Sequence, residues 1–244
     1  MIYHQPFADG KDIPLWQWNR SKTFTAKSVY DYLTRDCIRN PFRHIWKARI
    51  PYKIKIFLWL LENNAILTKD NLIKRHWVGS PTCYFCQANE TVQHLFFECP
   101  IAKVIWGTVG LCFGANDIPR NIQQYKTWIA KWLPGGESIY TCGCAAICWA
   151  IWKCRNKTCF VGKDIKNPME MMMHICSFIS YWAGLYNESM QEKILEGVQD
   201  LLACAHKVLA GQPASSSFQR RLLLLLPPKM MAMSRATKTD SNIV

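Results

Sequence analysis

Four residues near the middle of the chain have the types and the spacing of a metal site. Cys83 and Cys86 form a Cys-x-x-Cys pair, and His94 and Cys99 follow in the same stretch. Zinc prefers tetrahedral thiolate and imidazole ligands, and a Cys-x-x-Cys pair presents two sulfurs from one tight turn. Because four protein ligands leave no open coordination position, the pattern predicts one structural zinc ion. The alternative is that four buried residues lie close together by coincidence.

A structural zinc ion needs a second element that returns the chain to the cysteine pair. Asn89 and Thr91 are both suitable N-caps for a short helix that carries His94. The apolar residues that follow His94 would then pack behind the metal site. We therefore expect the zinc ion to fasten a turn to a short helix.

Helical spacing of apolar residues predicts most of the remaining structure. Pro51 opens a helix with a core-facing apolar stripe, and Thr68 is the expected N-cap of a shorter helix. Further helices are expected from Cys142 and from Pro168. One short hairpin is predicted where Leu15 to Trp18 and Thr23 to Thr25 flank a turn-forming segment. The predicted fold class is mostly α with a small β-hairpin.

Basic residues concentrate in the segment before the cysteine pair, where only Glu62 and Asp70 oppose them. The candidate nucleic-acid-binding residues are Arg43, Lys47, Arg49, Lys53, Lys55, Lys69, Lys74 and Arg75. Tyr52, Trp59 and Trp77 are interleaved with these cations, and the whole chain has a formal net charge of +13. Cations bind phosphates and aromatic faces stack on bases, so this composition indicates nucleic-acid binding. Alternatively, the aromatic residues belong to the core.

A further group of cysteines lies between Cys142 and Cys159. They lack a Cys-x-x-Cys pair and a nearby histidine, so small buried core residues explain them better than a second metal site, which stays open. The N-terminus has no apolar h-region of a signal peptide, which favours a reducing compartment.

Sequence motifs of catalysis are missing from the chain. No two acidic residues are adjacent, and there is neither a phosphate-binding Gly-x-x-x-x-Gly-Lys loop nor a His-Glu-x-x-His helix. We therefore expect the protein not to be an enzyme by itself. No apolar run reaches the roughly 18–20 residues that span a bilayer, so no membrane partner is expected.

An ordered series of short segments surrounds the cysteines. It comprises Ile45-Trp46-Lys47, Ile50 to Trp59, Ile66-Leu67-Thr68, Leu72, Arg75, Trp77, Cys83, Cys86, Glu90-Thr91, His94 to Phe97, Cys99-Pro100 and Ile105-Trp106. This series resembles the zinc-binding domain of plant non-LTR (LINE-type) retrotransposon reverse transcriptases. The likeness extends from about residue 15 to Trp149-Ala150-Ile151-Trp152 and Arg155-Asn156-Lys157.

The resemblance implies a domain organisation. Residues 15–106 correspond to the family's zinc-binding domain and 107–165 to its helical continuation. Beyond the resemblance, helical spacing predicts a helical C-terminal extension over 166–210, and the composition of 211–244 predicts a disordered tail. Counterparts of the polymerase Tyr-x-Asp-Asp motif and of the endonuclease and ribonuclease H carboxylates are missing.

The function implied is a structural-zinc, nucleic-acid-binding module without a catalytic domain, in the nucleus. Its expected partner is RNA or DNA, single-stranded or derived from a retroelement. The alternatives are a zinc-stabilised protein-interaction module and a retroelement fragment without function.

Overall fold

Helices make up the regular structure of the described residues. The computed structural model describes residues 16–17, 19–35, 41–162 and 168–209. In this part of the chain the α-helices are α1 (Ala26–Arg35), α2 (Arg43–Lys47), α3 (Tyr52–Glu62), α4 (Lys69–Ile73), α5 (Pro100–Cys112), α6 (Ile122–Trp132), α7 (Tyr140–Val161), α8 (Pro168–Ala183) and α9 (Glu188–Leu209). A π-helical turn, His94–Glu98, precedes α5. The tail expected at 211–244 lies outside the described residues.

The chain divides into two units, Met1–Arg43 and His44–Val244. In the first unit, Thr25 and Ser28 cap α1 reciprocally: the Ser28 amide donates to Thr25 Oγ1 and the Thr25 amide donates to Ser28 Oγ, both at 3.1 Å. Such a reciprocal cap satisfies amide groups that a helix start leaves unpaired.

The predicted β-hairpin is wrong, since the described residues contain no strand. The Trp16 amide donates to Lys22 O at 3.3 Å, which closes a turn without a strand ladder. Within this turn the Lys22 amide donates to Asn19 O at 3.3 Å instead of to Trp16 O, and the Asn19 side chain donates to Thr23 O at 2.6 Å. Local side-chain bonding of this kind competes with strand pairing. Leu15 and Trp18, which the prediction also used, lie outside the described residues.

In the second unit the core forms where α3, α7 and the π-helical turn meet. The stripe predicted for α3 is confirmed, since Ile54, Phe57, Leu58 and Leu61 are buried. The Phe57 ring lies 5.0 Å from the Trp149 ring on α7 and 6.1 Å from the Phe96 ring on the π-helical turn. Small buried residues on α7 let neighbouring elements approach it closely.

The C-terminal helices form a second layer of this core. Helix α8 packs against α7 and α9, and α9 also packs against α5. Trp106 on α5 is fully buried, stacks on Phe97 at 5.6 Å and donates its indole N–H to Phe96 O at 2.8 Å. The core is thereby continuous with the π-helical turn. None of the described helices combines the length and the apolar composition that a bilayer-spanning segment requires.

Helix α6 offers a test of local capping. Asn121 is its N-cap, and Asn121 Oδ1 accepts from the Gln124 amide at 2.8 Å. We expect Asn121→Ala to lower the free energy of unfolding by about 1 kcal/mol, because that amide loses its acceptor. Asn121→Asp keeps the acceptor and is the matched control. Urea denaturation of both variants measures the difference, and equal losses would contradict the capping role.

Candidate metal centre

The cysteine pair lies on a tight turn closed by backbone hydrogen bonds. Thr82 and Asn89 form an isolated antiparallel bridge. The Cys83 amide donates to Ala88 O and the Glu90 amide donates to Pro81 O, both at 2.8 Å. Inside the turn, the Phe85 amide donates to Cys83 Sγ at 3.4 Å. The backbone of the turn thus fixes the position of the first sulfur and stabilises its charge.

The other two ligands lie at the two ends of the π-helical turn, which begins at His94 and is followed directly by Cys99. Thr91 caps this element, since its Oγ1 accepts from the His94 amide at 3.0 Å, whereas Asn89 belongs to the bridge. The Cys99 amide donates to His94 O at 2.7 Å, the five-residue spacing of a π-helix. This wide turn brings Cys99 back beside His94, and Pro100 then starts α5. Single π-helical turns occur frequently at functional sites.

The ligand atoms of Cys83, Cys86, His94 and Cys99 all lie within 4.8 Å of one another. Cys86 Sγ and His94 Nε2 are 3.1 Å apart. Bonds of about 2.0–2.3 Å to a tetrahedral zinc ion would place ligand atoms roughly 3.3–3.8 Å from each other. Cys83, His94 and Cys99 are buried. Three sulfurs and one imidazole nitrogen therefore fit a single zinc ion, and this prediction of the cofactor is confirmed.

The pKa values of the three thiols differ, and Cys83 is the one that ionises most easily. A hydrogen bond from Cys99 lowers the pKa of Cys83 to about 4, against the opposing effect of its burial. The same hydrogen bond raises the pKa of Cys99, and burial raises the pKa of Cys86. Zinc binds thiolates, so a divalent ion here displaces the protons of Cys86 and Cys99. With four protein ligands the coordination sphere is closed, which makes the ion structural.

A buried ion pair connects the segment that carries the metal ligands to the rest of the core. Glu90, which precedes the cap residue Thr91, is fully buried, and Arg155 on α7 is 2% exposed. Arg155 Nη2 donates to Glu90 Oε1 at 2.6 Å, and Arg155 Nε lies 3.2 Å from both carboxylate oxygens. The Lys69 amide at the start of α4 also donates to Glu90 Oε1, at 3.1 Å. One carboxylate therefore joins the metal segment to α4 and α7.

Sequence reasoning missed this pair, although one signal was present. Arg155 falls at helical spacing with Cys148 and Ile151, both of which are buried. A cation on the core-facing side of a helix requires a buried acidic partner. That partner, Glu90, is far away in sequence and no local pattern marks it.

Lys69, one of the predicted nucleic-acid ligands, is 5% exposed. Its Nζ donates to Thr82 O and lies 3.8 Å from the centre of the Tyr84 ring. Tyr84 Oη in turn lies 3.2 Å from Cys159 Sγ, and the hydrogen bond between them raises the pKa of the phenol. Lys69 and Cys159 thus hold the cysteine turn in place, and Lys69 is not available at the surface.

The other predicted nucleic-acid ligands are more accessible. Arg43, Lys47, Arg49, Lys53, Lys74 and Arg75 are exposed, and Lys55 is half-buried. Lys55 Nζ donates to Trp46 O at 2.8 Å, and Lys74 Nζ lies 3.5 Å from Asp70 Oδ2. The Arg49 guanidinium lies 5.8 Å from the centre of the Tyr186 ring. Arg43 is the last residue of the first unit.

Three of the interleaved aromatic residues reach the surface. Tyr52 is 69% exposed, Trp59 39% and Trp77 41%. Trp46, whose ring lies 6.3 Å from that of Tyr52, is 37% exposed. These side chains are therefore not core residues, which was the alternative reading of their pattern.

Four of the five cysteines from Cys142 to Cys159 occupy core positions, and Cys159 is partly buried. Cys142, Cys144, Cys148 and Cys154 are buried, and Cys159 contacts Tyr84. Within the described ranges, Cys83, Cys86, His94 and Cys99 form the one cluster of potential metal ligands.

Comparison with known proteins supports the metal centre. Residues 24–106 match a family described as zinc-binding in reverse transcriptase. The chain is 28% identical over 199 residues to a protein of Arabidopsis thaliana provisionally named a ribonuclease H protein. This alignment covers 75% of the chain but only 30% of the relative's length. No solved structure matches the chain significantly.

The name of this relative contradicts the prediction that the protein is not an enzyme, because ribonuclease H is an enzyme. The prediction relied on neighbouring acidic residues, whereas carboxylates that share a metal ion are brought together by the fold. The resemblance itself is confirmed: residues 24–106 match the zinc-binding domain of reverse transcriptases, and Cys83, Cys86, His94 and Cys99, which fit a single zinc ion, lie within this match.

Proposed function

We propose that this zinc-binding module binds nucleic acid, and that the outward side of α2 and α3 makes the contact. We define the α3 face by Trp46, Lys47, Tyr52, Lys53, Ile56 and Trp59. The observation that carries the proposal is the exposure of large aromatic rings among exposed cations on this face.

The α3 face follows from helix geometry. Tyr52, Ile56 and Trp59 are spaced four and three residues apart, so they form one stripe along α3. The stripe is 69%, 38% and 39% exposed, respectively, whereas the opposite side of α3 is buried in the core. Exposed apolar stripes are unfavourable in water and mark interaction sites. A partner must therefore offer flat apolar surfaces.

The cations of the α3 face indicate the chemistry of that partner. Lys47 and Lys53 are exposed beside Trp46 and Tyr52. Nucleic acid supplies both complements, since phosphates attract lysines and unstacked bases stack on aromatic rings. A chain with a net charge of +13 also attracts a polyanion over long range. RNA or DNA with accessible bases satisfies both requirements.

The zinc ion supports this face without contacting the ligand. It holds the π-helical turn, where Phe96 packs against Phe57 on the buried side of α3. Phe57 also packs against Trp149 on α7. The metal thereby fixes the support on which α3 rests, and loss of zinc is expected to weaken binding indirectly.

The comparisons suggest which nucleic acids to test. Reverse transcriptases and ribonuclease H both act on RNA and DNA strands, so an RNA–DNA hybrid belongs in the assay beside single-stranded RNA and DNA.

We propose that the module holds such strands for these reactions, and we propose a nuclear location because retrotransposon proteins act on chromosomal DNA. Hydrolysis of the hybrid is measured with Mg²⁺ in the same experiment.

Fluorescence anisotropy with labelled oligonucleotides tests the proposal. We expect a dissociation constant in the range of about 1–100 μM at physiological salt, and steep weakening as salt rises. Tyr52→Ala is expected to weaken single-strand binding by about 1–3 kcal/mol, because one base loses its stacking surface. Lys53→Gln is expected to reduce the salt slope by about one.

Lys193→Gln is the matched control, since Lys193 is an exposed lysine on α9, away from the α3 face. It removes the same charge and should leave single-strand binding nearly unchanged. A flat salt response of the unmodified chain would contradict nucleic-acid binding. Equal losses in Lys53→Gln and Lys193→Gln would instead contradict the α3 face as the site.

A further inference from the structure

Two thiols meet where α5 and α9 pack together, apart from the zinc site. Cys112 is the last residue of α5, and Cys204 lies in the C-terminal part of α9. Their side chains are hydrogen-bonded to each other. Cys204 Sγ also lies 3.7 Å from the carbonyl oxygen of Thr108, one helical turn before Cys112. Both thiols are partly exposed, so small solutes can reach them.

The two thiols differ in their charge. The hydrogen bond from Cys112 and, to a smaller extent, the charge of Lys207 on the same helix outweigh the effect of burial and together lower the pKa of Cys204 to about 7. The pKa of Cys112 is raised by the hydrogen bond to Cys204, by burial and by Asp200 and Cys176. Near neutral pH the Cys204 thiolate is therefore substantially populated, whereas Cys112 stays protonated. A thiolate beside a protonated thiol is the arrangement of a reactive cysteine pair.

A second thiol pair in the same fold shows the contrast. Cys144 and Cys148 lie one turn apart on α7 and are both buried. The hydrogen bond to Cys148 and complete burial raise the pKa of Cys144 well above its usual range. Without a thiolate or solvent access this pair is expected to be inert. Of these two pairs, Cys112 and Cys204 are the one that joins separate helices.

We propose that Cys112 and Cys204 are a modification site. Hydroperoxides oxidise the pair, and a reversible disulfide forms between the two cysteines. The Cys204 thiolate attacks one oxygen of hydrogen peroxide, the S–O bond forms and the O–O bond breaks, and the departing hydroxide takes a proton to become water. Cys112 then loses its proton and attacks the oxidised sulfur, and a second water leaves. Two thiols and one peroxide thus give one disulfide and two waters, and a thiol reductant reverses the reaction.

The disulfide would tie α9 to the helix that leaves the zinc site. Helix α5 starts directly after the ligand Cys99, and α9 is the last helix of the described chain. A crosslink between residues so distant in sequence restricts the unfolded chain strongly. The oxidised protein is therefore expected to unfold at a higher temperature than the reduced one.

The experiment uses the full chain with zinc bound and a small excess of hydrogen peroxide. Non-reducing peptide mapping is expected to recover the Cys112–Cys204 peptide, with a loss of two thiols, full retention of zinc and reversal by dithiothreitol. Cys112→Ser is expected to stop at the sulfenic acid of Cys204, which dimedone traps. Cys204→Ser is expected to lose the reaction altogether.

Cys148→Ala is the matched control, because it disrupts the inert pair and should leave the disulfide yield unchanged. Circular dichroism verifies that each variant is folded, and serine is expected to be accepted at Cys112 and Cys204 because both are only partly buried. The proposal is overturned if peroxide oxidises the zinc ligands before Cys204. It is equally overturned if Cys204 reacts in the unmodified chain without a crosslink to Cys112.

Discussion

Replacing Cys83 with serine or His94 with alanine is expected to abolish tight zinc binding and to unfold the segment around the metal. Each change removes one of four ligands whose atoms lie within 4.8 Å of one another. Because zinc binding and folding of such a site are coupled, the free energy of unfolding should fall by about 4–5 kcal/mol or more. Metal analysis of the purified protein should give one zinc per chain, and far less in either variant.

The structural response should be local at first. The π-helical turn carries Phe97, which stacks on Trp106 at 5.6 Å. Release of this turn is expected to change the near-ultraviolet circular dichroism and the tryptophan fluorescence. Cys112→Ser is a suitable control, since it removes a thiol that is not a ligand and should retain one zinc. Full zinc retention in Cys83→Ser would exclude the proposed coordination.

Arg155→Met is expected to destabilise the second unit by about 3–5 kcal/mol, although Arg155 is neither a metal ligand nor part of the α3 face. The reason is the fully buried Glu90 carboxylate, which loses the guanidinium that lies 2.6 Å away. Urea denaturation measures the loss. The double variant Glu90→Gln with Arg155→Met should recover much of it, because no unpaired charge then stays buried.

An exposed ion pair provides the control for this prediction. Lys74 and Asp70 are 3.5 Å apart, with side chains 63% and 24% exposed. Lys74→Met should change the free energy of unfolding by less than about 1 kcal/mol, because solvent screens the pair. If Arg155→Met proved as mild as Lys74→Met, the buried pair would not support the metal segment.

The metal centre was predictable because its information is local. Cys83 and Cys86 share one turn, and Thr91 caps the element that carries His94. Neither inference needs knowledge of the rest of the fold. The buried side of α3 was predictable for the same reason, since helical spacing alone selects its apolar residues.

Residues that act across the fold could not be predicted. The Glu90–Arg155 pair joins residues far apart in the chain, and the burial of Lys69 follows from its contacts with Thr82 and Tyr84. The hairpin failed for a local reason, because the Lys22 amide donates to Asn19 O within the turn instead of to Trp16 O. Charge and composition predict which residue types reach the surface, but tertiary contacts decide which individual lysine does.

The position of Arg155 also sets the shortest fragment in which the zinc-binding segment can fold with its buried ion pair intact. The family match ends at residue 106, inside α5, whereas the guanidinium that neutralises Glu90 comes from α7, which runs to Val161. A fragment limited to residues 24–106 would bury the Glu90 carboxylate without its guanidinium partner. Any transfer of this zinc module into another polypeptide therefore has to include α7, so that Arg155 stays beside Glu90.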